Sequence, residues 1–191
     1  MNIATSSEGR IVIILQAVSA IGFGLVLVPL SENIMASIGV SGLVLAVGYP
    51  AARFLVALVG GWLSDHLGRR ATLAGSFFLA GVGLGWTALM PSSPVALSVG
   101  IFAIGLLGGL VPTLAMAYVG DVAHPATRLM VHSTLFTGRD VGVAGAMLVG
   151  QILRVELGGF GAMFGVFAAL FLVCGMWSIR LSPRRTPVNS R

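Results

Sequence analysis

Three ionisable side chains, Arg53, Arg139 and Asp140, stand in stretches that are otherwise apolar. A charge carried into a bilayer on a helix costs at least ~2.5–3.5 kcal/mol. Residues that bear this cost face a bundle interior or a wet cavity, and mark function by default. At ~1.5 Å per residue, Arg53 lies roughly 13 Å from one end of its run, and Arg139 and Asp140 roughly 15 Å into theirs. All three fall near one level, so the spacing allows an Arg53–Asp140 pair. Arg139 then has a spare charge for an anionic solute or for another polypeptide. A purely structural pair is the alternative, but buried pairs are poor stabilisers. Asp140 is the only acid at this depth, hence the candidate for proton coupling.

A second cluster is Gly61-Trp62-Leu63-Ser64-Asp65-His66-Leu67-Gly68-Arg69-Arg70-Ala71-Thr72-Leu73. It reads as a tight turn between two membrane helices. Gly61 would permit close packing at the membrane edge. Gly68 would take the left-handed conformation that ends a helix. Asp65 can accept hydrogen bonds from Arg69 and Arg70, or sit against the positive end of a neighbouring helix. A related loop, Gly120 to Arg128, carries Asp121 and Arg128.

Other reactive types lead nowhere. His66, His124 and His132 lack metal-ligand spacing, so no metal is expected. The single cysteine, Cys174, lies inside an apolar run, which excludes a disulfide framework. Within the runs there is no paired catalytic acid and no serine–histidine arrangement, so neither an enzyme nor a cofactor is expected.

The elements that must hold these residues follow from composition. Of 191 residues, 57% are apolar and only 9% charged. Soluble domains are about 25% charged, so most of this surface must face lipid. The apolar residues fall in six runs, each near the ~20 residues needed to cross a bilayer. They are Ile11 to Leu30, Val40 to Trp62, Thr72 to Met90, Pro94 to Val119, Met130 to Leu153 and Phe160 to Leu181. The runs are continuous, not alternating, which excludes a β-barrel. None has a wet face, which excludes a soluble helical core. The expected fold is an all-α membrane protein with a six-transmembrane-helix bundle over residues 11–182. Residues 1–10 and 183–191 form its flanks.

Arginine sets the orientation. All 11 basic residues are arginine. With the N-terminus cytoplasmic, that side holds Arg10, Arg69, Arg70, Arg128, Arg180, Arg184, Arg185 and Arg191, against only Arg154 outside. This is a strong positive-inside signal and places both termini in the cytoplasm. The charges lie in loops and in the tail, with no basic helix, so nucleic acid is excluded as a partner. Ile11 to Leu30 is too long for a cleaved signal core and lacks a clear small-residue cleavage site.

The runs hold many of the 27 glycines. Small residues let helices approach closely in lipid. Gly138, Gly142, Ala146 and Gly150 recur every four residues and line one face. That stripe suits tight packing within the bundle or a rocking interface with a partner half. Pro50 and Pro112 sit inside their runs and are expected to kink them.

The Gly61–Leu73 segment closely resembles the signature loop of the major facilitator superfamily, G-x-L-x-D-x-x-G-R-(R/K), placed after the second span as in that family. The resemblance implies that Asp65 and Arg69 belong to a charge latch that holds two transporter halves together in one state. By the same likeness, Asp121 would pair with Arg69 or Arg70, and Arg128 with Asp65. The stretch Thr137 to Gly142 resembles the R-D-L-G stretch in the fifth helix of some C-terminal halves. Neither the arginine motif of span four in N-terminal halves nor the glycine-proline motif of span five in antiporters is present. The resemblance covers Ile11 to Arg185 and implies one half of a twelve-span fold, although the chain starts with its own methionine. It implies transport of a small molecule or ion by alternating access in the plasma (inner) membrane, as a homodimer or with a second six-helix half. A truncated, non-transporting remnant is the rival expectation.

Overall fold

Away from water, an apolar run can satisfy its backbone polar groups through its own helical hydrogen bonds. Every run does so. The computed structural model describes residues 7–31, 42–122, 126 and 128–180. Six helices appear: α1 Ser7–Ser31, α2 Gly42–Leu67, α3 Arg69–Leu89, α4 Pro94–Val122, α5 Arg128–Glu156 and α6 Phe160–Ser178. The first six residues, His124, Leu181 and the tail with Arg184, Arg185 and Arg191 lie outside the described residues.

Among the described residues, three helices are each long and apolar enough to cross a membrane: α3, α4 over Pro94–Val119, and α6. A fourth joins them if the two inclined stretches of α2 count as one span. The other two differ for separate reasons. In α1, the described apolar stretch, Arg10–Leu25, is shorter. α5 is long enough, but it carries Arg139 and Asp140 mid-way, with Ser133, Thr134 and Thr137 before them. The expectation of six equivalent spans therefore narrows to six helices with three or four apolar spans.

The proline expectation also changes. Val47–Val56 and Leu58–Leu67 of α2 are inclined by 48°. This bend lies at residue 57, seven residues past Pro50. α4 passes through Pro112 as one helix.

α1 packs on α5, α2 on α4 and α3 on α6, while α4 also contacts α3 and α1. Exchanging α1 with α4, α2 with α5 and α3 with α6 carries the α1–α5 pair onto the α4–α2 pair. It leaves α3–α6 in place. Such pairing is what an internal three-plus-three repeat produces.

Close approach at small residues sets these pairs. The glycine stripe of α5 faces α1: a Cβ at Gly142 would strike the Ala17 carbonyl oxygen, and Gly24 is seated against Ala146. Gly138 stands in ordinary contact with Ile13, and Gly150 is buried. The stripe is thus engaged by this chain's own first helix. On α4, a Cβ at Gly105 would lie 2.7 Å from both the Tyr49 carbonyl oxygen and the Ala52 Cβ. The core between α3, α4 and α6 holds Phe77, Leu84, Ile104, Leu107 and Phe171, all essentially unexposed. The rings of Phe77 and Phe171 meet edge-on at 6.1 Å.

Two threonines fasten the ends of α3. The Thr72 hydroxyl donates to the Gly68 carbonyl at 3.0 Å, and the Leu63 carbonyl of α2 stands 3.4 Å away. At the other end, the Thr87 hydroxyl donates to the Ala96 carbonyl of α4 at 2.8 Å. Both threonines are buried, and in an apolar setting such bonds fix helix positions that dispersion alone leaves loose.

Candidate functional site

The α2–α3 connection is shorter than a loop: one residue, Gly68, separates the helices. Its φ of 84° requires glycine, as expected. Its ψ of 144° places it in an extended, glycine-only region and not in the left-handed helical region, so it redirects the chain instead of capping α2. Gly61 does not do the packing assigned to it, since a Cβ there would meet nothing within 4 Å. The packing glycine is its neighbour Gly60, where a Cβ would stand 3.0 Å from Leu110 of α4.

Asp65 lies in the last turn of α2 and is exposed, Arg69 is exposed, and Arg70 is half-buried. Among the described residues, no ion pair joins Asp65 to Arg69 or Arg70, while Arg69 makes an interaction of its own. Asp121 ends α4 and Arg128 begins α5; their backbones are described and their side chains are not. His66 turns back on its own helix: Nδ1 donates to the Trp62 carbonyl at 2.8 Å, with the two rings 4.4 Å apart.

The mid-helix charges are arranged differently from the pair that the sequence allows. On α5, Val131, Leu135, Gly142, Ala146 and Gly150 are buried. At about 100° per residue they occupy one arc of roughly 100°. Arg139 falls within that arc and is half-buried. Asp140 falls about 140° from its centre and is exposed. Consecutive residues on a helix cannot share a face, so Asp140 points away from Arg53. Among the described residues, Arg53 and Asp140 form no ion pair.

Arg53 has a buried aromatic neighbour on its own helix. Tyr49 lies one turn before Arg53 on the same face of α2 and is 7% exposed. Its hydroxyl is seated against Gly108 of α4. Its ring meets Phe23 of α1 at 5.2 Å. The backbone of Arg53 is clamped against Gly109 of α4, where a Cβ would stand 3.0 Å from the Arg53 carbonyl oxygen. Sequence reading passed over Tyr49, although its place four residues before Arg53 signals a shared face.

The family model for the Major Facilitator Superfamily matches residues 11–191. The chain belongs to the major facilitator superfamily. No curated protein matches it significantly. The match embraces all the turn residues and mid-helix charges described above. It makes the chain a membrane protein of a transporter family, and the all-helical bundle agrees with this.

Gln16 also escaped sequence reading. Gln16 is buried on α1, and its Oε1 accepts no hydrogen bond among the described residues. Arg154, near the end of α5, rests over the Phe160 ring at 5.0 Å. A small cavity bounded by Leu25, Leu84, Ile104 and Phe164 is too apolar to select a solute.

Proposed function

We propose that this member of the superfamily is one six-span half of a secondary transporter, moving a small solute by alternating access together with a second copy or a separate six-helix half. The observation that carries this reading is the position of Asp140. Its carboxylate is exposed halfway along α5, on the side away from α1. Facing lipid there costs ~2.5–3.5 kcal/mol on insertion scales. A polar cavity closed by another half removes that cost. The likeness of Thr137–Gly142 to C-terminal halves supports the same architecture.

In this arrangement the ends marked by Arg10, Arg69, Arg70, Arg128 and Arg180 face the cytoplasm of the plasma membrane, and Arg154 faces outward. Asp65, Arg69 and Arg70, with Asp121 and Arg128, form a latch toward the other half. Exposed pairs contribute only ~0–1 kcal/mol each, which suits contacts that must open in every cycle.

The test is the oligomeric mass of the chain in lipid nanodiscs from its native host, followed by solute uptake into proteoliposomes. A dimer, or a stoichiometric complex with another six-span chain that supports uptake, is expected. A monomer without uptake would favour the non-transporting remnant.

A further inference from the structure

α1 and α5 run parallel through their contact. Ile13 lies against Gly138, Ala17 against Gly142 and Gly24 against Ala146, so the two helices rise together. Near the start of this seam, Val12 of α1 and Leu135 of α5 are buried in one apolar cluster with Ala115 and Val119 of α4. Residues four apart on a helix stack on one face, about one turn along. The next layer of the seam therefore holds Gln16, four residues after Val12, and Arg139, four residues after Leu135. Gln16 is 4% exposed, and its Oε1 is buried without a hydrogen-bond partner among the described residues. Arg139 is half-buried and makes no hydrogen bond or ion pair among the described residues. One layer thus holds an acceptor that lacks a donor and a donor that lacks an acceptor. The buried oxygen bears its desolvation penalty as it stands. Folding the guanidinium inward satisfies that oxygen but takes a charge out of a more polar setting. The two costs oppose each other and leave two positions of the side chain close in energy.

We propose that Gln16 is a positioning residue for Arg139. Its Oε1 receives the guanidinium when the Arg139 side chain folds into the α1–α5 seam, and the bond is open in the conformation described above. The move needs only side-chain rotation, because Gly142 and Gly24 already hold the two backbones close. A charge halfway along α5 is thereby withdrawn or presented without a helix shift. Both residues belong to one six-helix bundle, so the inference goes beyond the transporter reading and stands without it.

The experiment uses the full chain in lipid nanodiscs and phenylglyoxal, a neutral reagent for arginine. The rate of Arg139 modification is read by peptide mass spectrometry, with Arg53 of α2 as the reference in the same digest. Gln16→Leu removes the acceptor. When two comparably populated positions become one, the free fraction doubles, so Arg139 should react about twofold faster. Gln16→Glu keeps the shape, offers a carboxylate and should slow Arg139 about fivefold or more. Arg53 should react alike in all three chains. In the unfolding equilibrium, Gln16→Glu and Arg139→Gln should be coupled by about fivefold or more, since the new acid loses its cation in the double variant.

An unchanged Arg139 rate in Gln16→Leu would overturn the proposal, as would independent effects of Gln16→Glu and Arg139→Gln. A parallel change at Arg53 would also overturn it, because the whole bundle would then have loosened. Circular dichroism checks helix content, and if Gln16→Glu does not fold, the Gln16→Leu rate decides alone.

Discussion

The hydroxyl of Tyr49 on α2 is seated against Gly108 on α4, where a Cβ would stand 2.5 Å from it. This contact sets how closely the phenol approaches α4. Gly108→Ala should therefore push the ring aside. Overpacking of this kind costs ~1–3 kcal/mol. The unfolding midpoint of Gly108→Ala should fall, and adding Tyr49→Phe should recover much of the loss by removing the colliding oxygen. Failure of the double variant to recover would show that the strain lies elsewhere in α4.

Neighbouring glycines should separate cleanly at the α2–α3 connection. Gly61→Ala meets nothing and lies within a helix, so it should be neutral or stabilising by up to ~1 kcal/mol. Gly68→Ala must hold a side chain at a φ of 84°. Strained backbone of that kind costs on the order of 1–3 kcal/mol. Thermal unfolding in nanodiscs compares the two. Equal midpoints would mean that the turn does not hold its conformation in the membrane.

The helices were legible because long apolar runs leave the backbone one solution, and their ends fell close to the polar breaks. Gly68 was legible for a related reason: no other residue fits a one-residue link between helices. The Arg53–Asp140 pair was misjudged because depth along the axis was counted and rotation about it was not. The correction was available in the glycine stripe. If Gly138 and Gly142 face inward, Asp140, two residues from each, must face out. Gly61 was chosen over Gly60 because a motif position marks recurrence, not which face packs. Gln16, Tyr49, Thr72 and Thr87 are single polar residues in or beside apolar runs, and only their three-dimensional neighbours give them roles.

Thr87 should matter beyond its size. Thr87→Val keeps the shape and removes the bond to the Ala96 carbonyl. A net hydrogen bond contributes ~0.5–1.5 kcal/mol, and that is the loss expected, because the Ala96 carbonyl keeps its partner within α4. Thr87→Ser keeps the hydroxyl and should lie between the two. Reversible unfolding in mixed detergent micelles would rank them. Valine at parity with threonine would remove this bond from the account of the α3–α4 junction.

Gln16 should be replaceable at a gain. Its buried Oε1 accepts nothing among the described residues. An unsatisfied buried polar group costs ~1–3 kcal/mol. Gln16→Leu is expected to raise the unfolding midpoint and preserve helix content. A lowered midpoint would show that the amide is bonded in the assembled transporter.

Asp140 separates folding from transport most sharply. It touches none of the packing that joins α5 to α1, because Gly142 and Ala146 make that contact from the other side. Asp140→Asn keeps the shape and removes the titratable charge, so insertion, helix content and thermal stability should match the parent. Proton-driven uptake into proteoliposomes should be lost, whereas exchange driven only by solute should persist, since exchange needs no proton release. Asp140→Leu, with a side chain suited to lipid, should lower the cost of exposing this face and shift any dimer toward monomer. Full proton-driven uptake by Asp140→Asn would remove the carboxylate from coupling. An unchanged assembly in Asp140→Leu would mean that the partner half is held by other residues.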